Sequence, residues 1–188
     1  AARALTGTAF GSAGKRSPEQ EANAVAYTQR LLAAIPSNAV VVFSDGSAIP
    51  NPGPCGAGAS ISRDGVPVLD VWQALGNGTN NVGELWAAGM ATRALLAQPG
   101  LLVGACGVYS KLIVGGLNGE SRLPSLSLLM DYVEPLLAQL RLLTKVQVIW
   151  IPGHVDTPGN ERADELAKRG ASTAPADGLD WRARLAIL

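Results

Sequence analysis

The apolar positions of this chain fall into short β-branched runs and into longer stretches with helical spacing. A β-branched or aromatic run that ends at a turn residue is typical of a strand buried in a sheet. Five such strands are predicted, at residues 40–43, 56–63, 66–75, 107–109 and 146–151. Asp64-Gly65 separates the second from the third, and this dipeptide is a strong hairpin signal.

The helical stretches alternate with the later strands. They are predicted at about residues 18–36, 81–97, 111–118, 124–143 and 159–170. Ser17 followed by Pro18 and Gln20 is a capping-box start for the first of them. The order is β-β-β-α-β-α-β-α after a leader helix, which predicts an α/β domain with a mixed sheet flanked by helices. We expect a leader with one extra helix at 1–37, the domain at 38–171 and a tail at 172–188.

Composition narrows the class of protein. The 188 residues are 47% hydrophobic and 16% charged, which excludes disorder of the whole chain. Cys55 and Cys106 are the only cysteines, too few for a disulfide scaffold, and neither lies in a metal-ligand pattern. No stretch of 18 uncharged apolar residues predicts a membrane span. Fifteen basic residues balance fifteen acidic ones, so any binding of nucleic acid has to come from a local site.

Acidic and polar residues stand at the predicted ends of strands and helices. Asp45 ends the first strand, Glu84 lies in the first turn of a helix, His154 follows the fifth strand and Asp164 lies in the last core helix. Each has an ordinary structural explanation when taken alone. Asp-Gly-Ser is a common turn, and an acid near a helix N-terminus interacts favourably with the helix dipole. The functional interpretation depends on the joint pattern.

Four short runs occur in a fixed order along the chain. They are Asp45-Gly46-Ser47 with Asn51-Pro52-Gly53-Pro54, Thr79-Asn80-Asn81 with Glu84, Trp150 with Gly153-His154, and Asn160-Glu161 with Ala163-Asp164 and Leu166-Ala167. In order and spacing they resemble the ribonuclease H family, type I, over residues 38–171. The resemblance implies a ribonuclease-H-like sheet with strand order 3-2-1-4-5. It also implies hydrolysis of the RNA strand in RNA–DNA hybrids.

The resemblance further implies a site for two Mg²⁺ ions, which suits carboxylate ligands. Asp45 would bridge both ions, Glu84 and Asp164 would each hold one, and His154 would move protons or help product release. An RNA–DNA hybrid or a structured RNA would lie with its minor groove against the glycine-rich turn and the following asparagines. The substrate-binding residues implied are Gly46, Ser47, Asn51, Thr79, Asn80, Asn81 and Asn160.

One expected acid is missing. Family members read S-D-S-K-L after the fourth strand, whereas this chain reads Tyr109-Ser110-Lys111-Leu112. Glu120 and Asp131 lie a helix away and should not reach the site. We therefore expect weak cleavage, because the loss of a metal ligand costs more than the roughly 10–100-fold typical of its supporting residues. Three explanations stay open: a natural pseudo-enzyme, a deliberate alteration, or two residues missing from the sequence.

Two further hypotheses compete with a hybrid-cleaving enzyme. The domain could be a non-catalytic subunit of a larger assembly, such as a mitochondrial ribonucleoprotein, with the leader and tail as docking arms for other protein subunits. The apolar residues of those arms are Leu5, Phe10, Trp181, Leu185, Ile187 and Leu188. Alternatively, it could bind hybrids without cutting them, although its neutral charge counts against this. The segment 112–143 holds only Arg122 and Arg141 as cations, as in a minimal type without a basic protrusion.

The composition of the first 18 residues bears on location. Arg3, Lys15 and Arg16 occur there with no acid, as at the end of an organellar transit peptide. This predicts a mitochondrial or other organellar location. The alternative is a leader without function, in a protein of the cytoplasm or nucleus.

Overall fold

The computed structural model describes residues 10–11, 14–113, 124–153, 155 and 157–188. It contains five strands, at Val40–Ala48 (β1), Gly53–Arg63 (β2), Val66–Gly78 (β3), Val108–Ile113 (β4) and Val146–Ile151 (β5). Its α-helices in the described ranges are Pro18–Ala33 (α1), Asn80–Ala97 (α2), Pro124–Leu143 (α3), Pro158–Ala171 (α4) and Trp181–Ile187 (α5), with a 3₁₀ turn at Pro99–Leu102. The predicted His154 lies outside the described residues, as do 114–118 of the predicted third helix.

The strands form one mixed sheet in the order β3-β2-β1-β4-β5, which confirms the prediction. β1, β2 and β3 pair antiparallel, and β4 pairs parallel to both β1 and β5. The hairpin between β2 and β3 turns at Asp64 and Gly65, with φ of 53° and 75°. Positive φ at both central residues is the geometry that favours a two-residue hairpin loop.

The two faces of the sheet are covered differently. α2 and α3 pack over one face and enclose most of the hydrophobic core, with Leu85, Trp86 and Leu129 each at most 3% exposed. α4 lies across β1, β2 and β3 on the other face, and α1 contacts β5. α1 begins with the predicted capping box between Ser17 and Gln20. Asp45, Asp164 and Lys111 lie on the α4 face.

The structure corrects the predicted end of β4. The strand continues to Ile113 instead of ending at Tyr109, so residues 111–113 are strand and not the start of a helix. Lys111 pairs with Phe43 of β1 on one side and Ile149 of β5 on the other. Pairing on both sides satisfies the backbone of this segment and overrides a local helical pattern.

The apolar residues of the leader and tail also differ from the prediction. Phe10 is 5% exposed and packs on Tyr27, with 4.9 Å between ring centroids. Trp181 is 2% exposed and donates from its indole Nε1 to the carbonyl oxygen of Asn77 at 3.2 Å. These two aromatic side chains are therefore covered by the chain itself, and docking of the leader and tail to other subunits stays a prediction. Ile187 and Leu188 are exposed. Among the described residues, no helix combines the length and apolar character needed to cross a membrane.

Candidate active site

Close packing of α4 on the sheet places two acids together. Asp45 of β1 pairs with Gly58 of β2, and the backbone of α4 passes directly over Gly58. A Cβ at Gly58 would lie 2.6 Å from Cβ of Leu166 and 2.7 Å from the carbonyl oxygen of Ala163. Only glycine at position 58 permits α4 to lie this close to β2. The close packing brings Asp164, which follows Ala163 on α4, against Asp45.

The two carboxyl groups interact strongly. The pKa of Asp45 is raised to about 7, mainly by burial and also by the charge of Asp164 and a side-chain hydrogen bond with it. The Gly46 amide donates to Oδ1 of Asp45 at 2.9 Å and acts in the opposite direction. Two carboxylates in contact cannot both ionise cheaply, so the pair holds a proton into the neutral range. A divalent cation could replace that proton.

A lysine neutralises the outer member of the pair. Lys168 lies one helical turn after Asp164, and its Nζ is 2.8 Å from Oδ2 of that residue. Lys168 is 56% exposed and Asp164 40% exposed, so solvent reaches this ion pair. The hydrogen bond and the charge of Asp164 raise the pKa of Lys168, which keeps it charged. The i,i+4 spacing could have been read from the sequence.

A second lysine lies on the other side of Asp45. Lys111 is on the same face of the sheet as Phe43 and Asp45, because it pairs with Phe43 and side chains alternate along a strand. Lys111 is 1% exposed. Its Nζ lies 4.9 Å from the centroid of the Phe43 ring and donates to Oγ1 of Thr157 at 3.0 Å. Burial lowers the pKa of Lys111 to about 7, and the charge of Asp45 opposes that decrease.

Glu84 lies near the start of α2, next to Gly46 of β1. The start of α2 packs so closely on Gly46 that a Cβ there would collide with the backbone amide nitrogen of Glu84. Glu84 is 6% exposed. Among the described residues, no three Asp, Glu, His or Cys side chains are grouped closely enough to hold a metal ion. The structure pairs Asp45 with Asp164, and a three-carboxylate metal site that includes Glu84 stays a prediction.

The predicted substrate-binding residues line the turn between β1 and β2 and the start of α2. Thr79 caps α2 by accepting from the Val82 amide at 3.2 Å. Oδ1 of Asn80 accepts from the Ala48 amide at 2.6 Å, and Oδ1 of Asn51 accepts from the Asn80 amide at 3.2 Å. These bonds give the asparagines a structural role. Their roles in binding stay predictions.

The remaining predicted binding residues are less accessible. Ser47 is 6% and Asn81 9% exposed. Asn160, near the start of α4, donates from Nδ2 to the carbonyl oxygen of Val155 at 3.3 Å, while its buried Oδ1 has no hydrogen-bond partner among the described residues. Gly46 is covered on one side by the backbone at the start of α2.

The family resemblance implies bound Mg²⁺, and part of the expected set of ligands is present in this chain. Asp45 and Asp164 offer the hard oxygen atoms that Mg²⁺ prefers, and they fit one such ion. A site for two ions stays a prediction, because the described part of β4 carries no acid and its Lys111 is buried on the same face of the sheet as Asp45. Sequence reasoning missed Lys111, since its inward direction depends on how far β4 continues.

The fold and the acid pair together define a ribonuclease-H-like domain: a mixed 3-2-1-4-5 sheet with acids from the first strand and the last core helix. Comparison with known proteins agrees. The RNase H family pattern matches residues 37–172. The chain therefore belongs to the RNase H family.

Named relatives and solved structures resemble most of the chain. It is 36% identical over 143 residues to a Ribonuclease H of Dechloromonas aromatica, which covers 70% of this chain and 92% of the relative. It is 35% identical over 137 residues to a Ribonuclease H of Rhizobium etli, covering 70% and 90%. LC11-RNase H1, isolated from compost, matches with a TM-score of 0.59 at 24% identity over 72% of this chain and 96% of that one. The same enzyme in complex with an RNA/DNA hybrid matches with a TM-score of 0.55 at 22% identity over 69% and 97%.

Proposed function

We propose that this domain hydrolyses the RNA strand of RNA–DNA hybrids in a Mg²⁺-dependent reaction, at a rate reduced by the acid it lacks after β4. The observation that carries the proposal is the contact between Asp45 and Asp164. These acids come from distant parts of the chain, and no local structural reason requires them to meet. Relatives that share at least 35% of the aligned residues are ribonucleases H.

The residues of the site would act as follows. Asp45 and Asp164 would hold Mg²⁺, which supplies an activated water and stabilises the leaving oxygen. Asp45 would give up its shared proton when the cation binds, since a nearby positive charge favours the ionised carboxylate. Lys168 would remain on the solvent side of Asp164 and fix its orientation. The turn that carries Asn51 and the start of α2 with Asn80 would contact the hybrid along its minor groove.

The test is cleavage of an RNA–DNA hybrid labelled on its RNA strand, with an RNA–RNA duplex as the substrate control. We expect Mg²⁺-dependent cleavage of the hybrid, and a loss of at least about 100-fold in Asp45→Asn. Asp131→Asn, an exposed acid on α3, is the matched control and should cleave as the wild-type chain does. Cleavage that is absent, or equal in Asp45→Asn and wild type, would overturn the proposal.

A second function is favoured by one observation: β4 carries no acid among its described residues, and its Lys111 is buried on the face of the sheet that holds Asp45. In this alternative the domain is a non-catalytic module within a larger assembly. Hybrid or structured-RNA binding without cleavage at any Mg²⁺ or Mn²⁺ concentration would support it. An organellar location of such an assembly is a prediction from the leader composition alone.

A further inference from the structure

The leader contacts the loop that joins β5 to α4. The guanidinium of Arg16 donates from Nη1 to the carbonyl oxygen of Gly153 at 2.7 Å and from Nε to the carbonyl oxygen of Phe10 at 2.8 Å. The Arg16 side chain is 5% exposed. Because the donors of a guanidinium lie in one rigid plane, an arginine bonded to two carbonyl groups fixes them relative to each other. Arg16 therefore ties the leader to this loop.

Apolar packing joins the same two segments further along the loop. Val155 is 3% exposed and lies in one buried cluster with Phe10 of the leader and Ala24 of α1. The leader thus contacts the loop at Gly153 by hydrogen bonding and at Val155 by burial. These two residues are the chain neighbours of His154.

The domain holds the later part of the same loop. The carbonyl oxygen of Val155 accepts from Nδ2 of Asn160 at 3.3 Å. Oγ1 of Thr157 accepts from the buried amine of Lys111 at 3.0 Å. The hydrogen bond to the carbonyl oxygen of Gly153 comes instead from the leader. The leader and the domain therefore each hold one part of the loop.

The leader is an addition to the family domain. The RNase H family pattern begins at residue 37, so Phe10, Arg16 and α1 lie outside it. An apolar side chain at position 16 would cover the loop as well as arginine does, whereas a buried guanidinium is costly unless its donors are bonded. The presence of arginine indicates that this residue supplies the two bonds to carbonyl groups and not merely coverage.

We propose that Arg16 is a positioning residue for hybrid cleavage: it bridges Phe10 and Gly153 and so fixes the loop backbone beside His154, the predicted proton-transfer residue. The inference rests on the proposed function and, within it, on the predicted role of His154. Groups that act in catalysis must be held within about 0.5 Å of their productive position, so a loosened loop should lower turnover more than hybrid binding. A leader that only covers the sheet would affect stability and leave turnover unchanged.

The experiment compares wild type with two variants of Arg16 and one control. Arg16→Met keeps an apolar stem and removes both donors, whereas Arg16→Lys keeps the charge but replaces the planar donors by one ammonium. Lys15→Met removes the neighbouring exposed cation and is the matched control for net charge. For each protein, amide hydrogen exchange is followed in peptides over residues 151–157 and over β1. Steady-state kcat and KM are measured on an RNA–DNA hybrid in Mg²⁺.

We expect exchange over residues 151–157 to be at least about tenfold faster in both Arg16 variants and unchanged over β1. In both variants kcat should fall about tenfold while KM stays within about twofold, and Lys15→Met should match wild type throughout. Loop exchange or kcat at the wild-type value in Arg16→Met would overturn the inference, as would wild-type behaviour of Arg16→Lys. Equally faster exchange over β1 would show a loss of the whole fold and would overturn it too.

This inference and the proposed function fail in different ways. Absence of cleavage by wild type refutes the proposed function, and the exchange measurements then decide by themselves whether Arg16 holds the loop. Cleavage that depends on Asp45 but not on Arg16 refutes this inference alone.

Discussion

Two neighbouring strands carry their side chains into the candidate site in different ways. Asp45 of β1 is held from both faces by backbone: α4 passes over its partner Gly58, and α2 packs on Gly46. Lys111 of β4 is held by one hydrogen bond to Thr157 and by the Phe43 ring. The difference shows that the position of Asp45 depends on how the helices pack on the sheet. The charge that β4 contributes to the site depends on one side chain, that of Lys111.

This contrast has a consequence for how the domain tolerates change. Substitutions at the glycines around Asp45 should displace whole helices, whereas substitutions at Lys111 should change charge and leave the sheet intact.

The largest effect is expected at Gly58. In Gly58→Ala the new Cβ would meet Leu166 and the backbone of α4, so the helix must shift and the domain should lose about 3 kcal/mol or more of unfolding free energy. Gly100→Ala is the matched control, since a Cβ there meets nothing within 4 Å. Urea denaturation measures both. A loss below about 1 kcal/mol in Gly58→Ala would contradict the close packing that places Asp164.

The next largest effect is expected in the pH dependence of stability that Asp45 causes. Its pKa is raised from 3.8 to about 7, so the native state binds more protons than the unfolded state between those values. Its contribution to stability is then lost as pH rises from about 4 to about 7, on the scale of 1.4 kcal/mol per pKa unit. Melting curves from pH 4 to 8 should show wild type losing stability relative to Asp45→Asn. A stability difference between wild type and Asp45→Asn that stays constant over this pH range would show that the pKa of Asp45 is not raised.

Lys111 should show the opposite dependence at higher pH. Its pKa is lowered from 10.5 to about 7, so the unfolded state binds more protons between those values and stability rises with pH there. Lys111→Met should therefore be more stable than wild type near pH 7, by about 1–3 kcal/mol, because it buries no charge. This advantage should shrink by pH 10 in the same melting experiment. A variant that is less stable than wild type at both pH values would contradict a buried, poorly compensated amine.

The smallest effect is expected away from both strand ends. Arg162 donates to Asp70 at 2.9 Å, but the side chains are 41% and 31% exposed. Solvent screens such a pair, so Asp70→Asn should change the unfolding free energy by less than about 1 kcal/mol. A larger loss would show that α4 depends on this ion pair as well as on the glycines beneath it.

Much of the fold could be predicted from the sequence, because strand patterning, the Asp64-Gly65 turn and the Ser17 capping box are local signals. The order of the strands followed from the family resemblance. The end of β4 could not be predicted, because its last three residues are strand only through pairing with β1 and β5.

The candidate site was predictable only in part. The motif around Asp45 and the motif around Asp164 pointed to a shared site, and the structure brings these acids together. The buried direction of Lys111 depends on a register that no local pattern specifies. The burial of Phe10 and Trp181 likewise depends on tertiary contacts of segments that resembled free arms.

The most direct test of the account is cleavage of one uniform RNA–DNA hybrid in Mg²⁺ by two proteins. One is the wild-type chain, and the other has Asp-Ser inserted between Ser110 and Lys111. We predict cleavage at least about tenfold faster with the insertion, because it supplies the missing acid and moves Lys111 away from Asp45. Wild-type cleavage as fast as that of the insertion variant would contradict the claim that the end of β4 limits this site.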